Sequence, residues 1–278
     1  MAGRALVLGG GGITGAAWEI GMLAGLRADG VDLTTADVVI GTSAGSLVGA
    51  QILGGTPLDE LYARQMRPPV GEVASKMGLG VLLRFVAPLL LPGDEQAARA
   101  RVGRAALRAR TMPEGERKRI IAGRLPSHSW PQRDLRITTV DAETGEFVVL
   151  RRDSGVELVD AVAASCAVPL VYPPVTINGR RYVDGGVRSV ANADLADGFD
   201  PIVVLAPIAV SFRRSQRLKV QLGSDARSII VTADAQARKA MGRQALDPAR
   251  RAASARAGRT QASTIARSVA EVWASVRA

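Results

Sequence analysis

Val38-Val39-Ile40-Gly41-Thr42-Ser43-Ala44-Gly45 is the stretch from which the rest of the chain can be read. A short apolar run ends in Gly-Thr-Ser-Ala-Gly, and small residues at helical spacing follow it (Ser46, Leu47, Val48, Gly49, Ala50). This is a G-x-S-x-G set on a strand-to-helix turn. Such a turn holds its serine in a strained position with the hydroxyl above the sheet edge. Gly41 and Gly45 have a steric reason to be glycine, because side chains there would crowd the neighbouring strand and helix. The five residues alone also suit a plain turn that holds a serine, so the surrounding chain has to decide.

The stretch before it points the same way. Ala5-Leu6-Val7-Leu8 reads as a buried parallel strand. Gly9-Gly10-Gly11-Gly12 follows, then Ile13-Thr14-Gly15 and a helix pattern from Ala16 to about Ala28. Consecutive glycines lose much conformational entropy on folding, and suit a loop whose N–H groups must closely face something. The helix N-terminus behind them adds a positive dipole end, so the loop is built to hold negative charge. Two charges fit. Gly10, Gly12 and Gly15 satisfy G-x-G-x-x-G, which suggests a dinucleotide pyrophosphate. That reading needs an acidic residue at the end of the second strand, and the serine turn stands there instead. The other charge is the oxyanion formed when Ser43 attacks a carbonyl, for which pre-placed donors are worth a few kcal/mol each. Under this reading the two glycine motifs explain each other.

The bulk of the chain bounds the answer. Its 278 residues, 47% of them hydrophobic, suit one large α/β domain or two small ones. The formal charge of +10, from 36 basic and 26 acidic residues, suggests attraction to anionic surfaces. An Arg/Ala composition bias explains it equally. Nucleic-acid binding would rest on charge alone, without a recognition motif, and is not expected. A lone cysteine, Cys166, excludes an internal disulfide and fits a reducing compartment. The start enters a strand almost at once, so no signal peptide is expected. No apolar run reaches the length of a spanning helix. A cytoplasmic protein, or one peripheral on the inner face of the membrane, is the expectation.

Downstream, residues 57–130 read as a helical insert or lid. Leu58 to Met66 is a short helix. Gly80 to Leu91 is nearly all apolar and reads as either a core helix or a lipid-contacting lid. Glu95 to Arg124 is Arg-rich, suiting an anionic lipid surface or an ordinary solvated face. His128, the only histidine, lies in a turn-rich loop; a Ser-His-Asp triad would have to use it. Leu135–Val140 and Phe147–Leu150 should pair as a hairpin. Leu158 to Ala167 reads as a buried helix in which Cys166 packs as a small apolar residue. Residues 173–184 form a second hairpin around Asn178-Gly179, delivering Asp184-Gly185-Gly186 at a strand end. Asp184 there is a candidate base or a turn-capping aspartate. Strands follow at 201–205 and 228–232, with a polar helix near 215–223 between them. Residues 247–278 read as a C-terminal helix begun by Asp247-Pro248, lying on the surface or touching a membrane.

Three elements in this order resemble the patatin-like phospholipase family: Gly9-Gly10-Gly11-Gly12-Ile13-Thr14-Gly15, Gly41-Thr42-Ser43-Ala44-Gly45 and Asp184-Gly185-Gly186. Ala163-Ala164-Ser165-Cys166-Ala167-Val168-Pro169 also looks like the family's small-residue segment ahead of a proline. The resemblance covers about residues 4 to 206. It implies a single three-layer α/β/α domain with a central, mostly parallel sheet; the helical insert and the C-terminal helix, read from the residues alone, are additions to it. It also implies a catalytic Ser43–Asp184 dyad with no imidazole between, in keeping with the single, poorly placed histidine. Gly10, Gly11 and Gly12 would supply the oxyanion hole, helped by the N–H of Ala44. The reaction would run through an acyl-enzyme on a lipid ester or phospholipid, with no cofactor or metal. A lipid-binding protein of the same fold without catalysis is the alternative. Acyl-chain length, headgroup and oligomeric state are not legible.

Overall fold

The computed structural model describes residues 3–68, 93–208, 217–222 and 226–274. The apolar segment 80–91, read as a core helix or a lid, lies outside the described residues. Strand β1 (Ala5–Leu8) leads through the glycine loop into α1 (Gly12–Ala28). Strand β2 (Val38–Thr42) turns at Ser43 into α2 (Ala44–Leu53). Helices α3 (Leu58–Met66), α4 (Glu95–Leu107) and α5 (Glu114–Ala122) follow. Then come β3 (Asp134–Asp141), β4 (Phe147–Leu150), α6 (Leu158–Ser165), β5 (Val175–Ile177) and β6 (Arg180–Asp184). The chain continues through β7 (Ile202–Ala206), the short α7 (Leu218–Gln221), β8 (Ser228–Thr232), α8 (Ala235–Met241) and α9 (Arg251–Trp273).

The strands form one sheet in the order β5-β6-β3-β2-β1-β7-β8, with β4 also paired to β3. β8, β7, β1, β2 and β3 run parallel, β4 and β6 pair antiparallel to β3, and β5 pairs antiparallel to β6. β1 sits between β2 and β7 and is wholly buried, as its unbroken apolar sequence requires. Alternation along the strands divides the core. Leu6, Leu8, Val39, Leu135, Val203 and Leu205 face a layer built from α1, α2, α6 and α9. Ala5, Val7, Val38, Ile40, Ile202 and Val204 face the opposite layer, which contains Ala193, Ala196 and Leu218. Beyond the end of β2, α4 packs Ala98, Val102 and Ala106 against Val140 and Val183.

Within the expected insert, α3 and α5 are anchored in the main core, through Leu58 and Leu61 and through Ile121. The C-terminal helix differs from its reading as a surface element. α9 lies along α1 at backbone contact: a Cβ on Gly258 would sit 2.2 Å from the Trp18 carbonyl, and one on Gly21 2.0 Å from the Ala255 carbonyl. Trp18 Nε1 donates to Gln261 Oε1 at 2.9 Å, and Trp273 Nε1 donates to the Asp32 carbonyl at 3.2 Å. Small residues on both helices let the backbones approach and bury two tryptophans between flanking elements.

One polar residue in this layer breaks the pattern. Glu19 of α1 is 0% exposed, and neither carboxyl oxygen has a hydrogen-bond partner among the described residues. Burial pushes its pKa well above the ordinary range; the nearby Gly9 amide, already committed to Leu205, offsets only part.

Two outcomes follow from this packing. Gly258→Val should lower stability by about 1–3 kcal/mol through overpacking, read as a lower urea midpoint. Glu19 binds its proton more tightly folded than unfolded, so stability is lost as pH rises from the unfolded pKa through the folded one. Glu19→Gln removes that loss. Its melting-temperature gain over wild type should therefore be larger at pH 8 than at pH 5, and an equal gain at both would show that charge is not the cause.

Candidate active site

The register of β3 brings two distant segments together. Its first half pairs with β2, from Val38↔Asp134 to Thr42↔Thr138. Its last residues pair with β6, from Thr139↔Asp184 to Asp141↔Tyr182. β4 takes Ile137–Val140 on the other edge. A strand has only two edges, so β6 must continue along the edge that β2 leaves. The two strands therefore end head to head, at Thr42 opposite Thr138 and Asp184 opposite Thr139. The residue after Thr42 is Ser43.

Ser43 has φ 54° and ψ −118°, a strained backbone for a residue with a side chain. The flanking glycines permit it: a Cβ on Gly41 would lie 2.5 Å from Ser46 Cα, and one on Gly45 2.1 Å from the Leu8 carbonyl. Side chains of two helices clamp the turn. Ser43 N–H donates to Ser165 Oγ at 2.9 Å. The Ser43 carbonyl accepts from Ser46 Oγ at 2.7 Å and from Cys166 Sγ at 3.2 Å. Cys166 is thus buried as expected, but it also fills a hydrogen-bonding place. Burial pushes its thiol up to about 11, so it keeps the proton it donates.

Asp184 is 4% exposed. Gly186 N–H donates to its carboxylate at 2.7 Å, and the Ser43 hydroxyl lies near enough to favour its ionised form. Burial pushes its pKa up to about 6; the nearby Ser43 hydroxyl, the Gly186 N–H and the Arg117 charge each hold it back from going further. The Asp184 N–H donates to the Ala167 carbonyl at 3.1 Å, so the small-residue segment after α6 holds both partners.

Asn192 is a positioning residue that the sequence did not expose. It is fully buried with φ 50°. Its NH2 lies within hydrogen-bond distance of Thr42 Oγ1 (3.1 Å), Thr138 Oγ1 (3.4 Å), Gly185 O (3.3 Å) and Ser189 O (2.9 Å). Its Oδ1 accepts from Arg188 at 2.9 Å. One amide thus ties the ends of β2 and β6 to the middle of β3 at their junction. The signal available in sequence was only an asparagine, a residue type that tolerates the left-handed region.

The glycine loop closes the site from β1. A Cβ on Gly10 would sit 3.4 Å from Ser43 Cβ, so the loop lies directly on the serine. Gly45 N–H donates to the Gly9 carbonyl at 3.1 Å, locking loop to turn. The expectation for Gly10 needs correction. Its N–H is already donated to the Val190 carbonyl at 2.6 Å, because residues 190–193 cross over the loop. The N–H groups of Gly11, Gly12 and Ala44 have no acceptor among the described residues. The N-terminus of α1, where a pyrophosphate would sit, is partly covered: Thr14 N–H donates to the Ala245 carbonyl at 3.0 Å, and Pro207 packs on Gly11. His128 lies on an exposed turn, its Nε2 3.2 Å from the Ala122 carbonyl, and takes no part in the site.

The sequence profile described as patatin-like phospholipase matches residues 6–197. No curated protein matches the sequence. Among solved structures, VipD from Legionella pneumophila superposes with a TM-score of 0.53 at 13% identity, covering 96% of this chain and 67% of its own. The type III effector protein ExoU gives a TM-score of 0.41 at 17% identity, covering 96% of this chain and 53% of its own. The VipD likeness concerns the fold: a mixed α/β domain with a central, mostly parallel sheet between helices. The profile spans the glycine loop, the serine turn and the Asp-Gly-Gly strand end together, and the chain belongs to the patatin-like phospholipase family.

Proposed function

We propose that the chain is a serine acyl hydrolase that cleaves ester-linked fatty acyl chains from lipids, as a phospholipase A or lipid esterase. The observation that carries this reading is a buried Asp184 carboxylate brought, by two strands ending head to head on β3, to a serine held at φ 54° on a strand-to-helix turn. Asp184 takes the Ser43 proton as Oγ adds to the ester carbonyl. The carbonyl oxygen becomes an oxyanion facing the N–H groups of Gly11, Gly12 and Ala44, which await an acceptor. The tetrahedral intermediate collapses, the C–O bond to the alcohol breaks, and Asp184 returns the proton to the leaving alkoxide. Water then repeats the cycle on the acyl-Ser43 ester, releasing the fatty acid. No imidazole is needed, because burial lifts Asp184 towards the working pH while its donors keep it ionised at neutrality. The +10 charge supports peripheral contact with an anionic membrane from the cytoplasmic side.

A fluorophosphonate probe should label wild-type protein, and Ser43→Ala should lose both labelling and p-nitrophenyl ester turnover. Asp184→Asn should retain the circular-dichroism spectrum and lose roughly 10²–10⁴-fold in kcat, the range for removing a general base. His128→Ala should stay within about twofold of wild type, since its ring lies outside the site. Full esterase activity in Ser43→Ala would overturn the assignment; lipid binding without turnover on a broad ester panel would leave a binding protein of this fold.

The pH profile supplies a separate check. Asp184 must be ionised to accept the proton, so kcat/KM should fall as pH drops through about 6, reaching a slope of tenfold per unit below it. An acid limb near pH 4 would mean that the base is a solvated carboxylate elsewhere.

A further inference from the structure

Arg117 is a buried cation for which the proposed reaction names no direct partner. It lies on α5 and is 6% exposed. Its neighbours on the same helix are paired: Lys118 meets Asp160 at 2.9 Å, and Glu114 accepts from Thr176 N–H at 2.7 Å. Arg117 has no hydrogen bond or salt bridge among the described residues, and its Nε is fully buried without a partner. It stacks on Tyr172 instead, with the guanidinium carbon 3.7 Å from the ring centroid. The groups whose charge it feels are Cys166, Tyr172 and Asp184, together with Arg124 as a like charge. Tyr172 N–H donates to the Val168 carbonyl, so the stack sets Arg117 on the segment whose Cys166 clamps Ser43 and whose Ala167 carbonyl takes the Asp184 N–H.

A buried cation without a carboxylate is costly to maintain. Asp184 compensates only through space, and its carboxylate already accepts from Gly186 N–H. Stacking on Tyr172 fixes the guanidinium plane and leaves its edge for in-plane donors, the geometry that suits two oxygens of one anion. An arginine held so, beside a serine proposed to attack an ester, is placed for a charged group carried by the same substrate molecule.

We propose that Arg117 is a specificity-determining residue that binds the phosphate group of an acyl-ester lipid, selecting phosphate-bearing over neutral esters. The assignment rests on the acyl-hydrolase reading for its substrate, but not for its anion. Calorimetry with hexyl phosphate, hexanol and inorganic phosphate tests the anion site without catalysis. Wild type should bind hexyl phosphate about tenfold or more tightly than Arg117→Gln does, as expected for loss of a charge-assisted pair. Arg117→Lys, which keeps the charge but loses the fork and the stack, should fall between them. Equal binding of hexyl phosphate by wild type and Arg117→Gln would overturn the proposal. Inorganic phosphate bound as tightly as hexyl phosphate would remove its lipid part.

Turnover then tests specificity. The ratio of kcat/KM for dihexanoyl phosphatidic acid to that for p-nitrophenyl butyrate should fall about tenfold or more in Arg117→Gln, mainly through KM. A parallel loss on both esters, with a shifted acid limb, would show that Arg117 acts only through Asp184. Arg117-dependent binding of hexyl phosphate with no turnover of either ester by wild type would sink the hydrolase reading and leave the anion site standing.

Discussion

The site depends on two strands sharing one edge of β3. β2 occupies that edge up to Thr138, and β6 occupies it from Thr139 onward in the opposite direction. Neither strand can lengthen without displacing the other, so the ends of both are set by the junction. A slip of one residue in either pairing would turn Ser43 and Asp184 to opposite faces of the sheet. The junction is accordingly crowded with specific contacts. Thr42 Oγ1 and Thr138 Oγ1 lie 2.9 Å apart, and a Cβ on Gly185 would meet Thr138 Oγ1 at 2.2 Å. The Asn192 amide then binds both threonine hydroxyls and the Gly185 carbonyl. Buried hydrogen bonds of this kind are modest in net energy but expensive to leave half made, which makes the register cooperative.

The same layer of the protein sets two buried carboxyl groups in opposite states. Glu19 has no partner among the described residues, so burial acts almost alone and favours the neutral acid. Asp184 is nearly as buried, yet it meets the Ser43 hydroxyl, the Gly186 N–H and the field of Arg117, and comes to rest at about 6. A base there is stronger than a solvated carboxylate and still ionised at neutral pH. Fewer donors would leave it protonated; more would make it too weak to take a proton from a serine. This balance is how an aspartate can stand in the proposed reaction where a histidine stands in the common triad.

Much of this was legible in the sequence, for local reasons. Unbroken apolar runs located β1, β2, β7 and β8. Asn178-Gly179 located the β5–β6 turn, where both residues have positive φ (49° and 78°). Gly-x-Ser-x-Gly located the elbow because its steric demands act within five residues. The features that were missed depend on chain brought from far away. Nothing near Gly10 announces that Val190 will take its N–H. Asn192 is polar and buried only because three strands converge on it. Arg117 sits among 36 basic residues in the chain, in a stretch whose sequence equally suits a solvated face, and only its burial, with Nε left without a partner, sets it apart. α9 was taken for a surface helix because alanine and glycine carry little hydrophobic signal, although small residues are what let two helix backbones touch.

That last element bears on the site more than its position in the chain suggests. The family match ends at residue 197, so β7, β8, α8 and α9 lie beyond it. β7 nevertheless pairs with β1 along its whole length and takes the Gly9 N–H at the start of the glycine loop. α9 presses on α1 at Gly21 and Gly258, and the segment leading into it caps the α1 N-terminus through the Ala245 carbonyl. The loop is therefore held from three sides: by Leu205 below, by Val190 across and by Ala245 at the helix end. Each of these contacts takes up a backbone N–H of the loop or of the first turn of α1. What they leave among the described residues is the pair at Gly11 and Gly12, beside Ala44 on the facing turn. A loop with four glycines could adopt many shapes; the C-terminal third of the chain selects the one in which two of its amides and one from α2 have no acceptor among the described residues, as the proposed oxyanion hole requires.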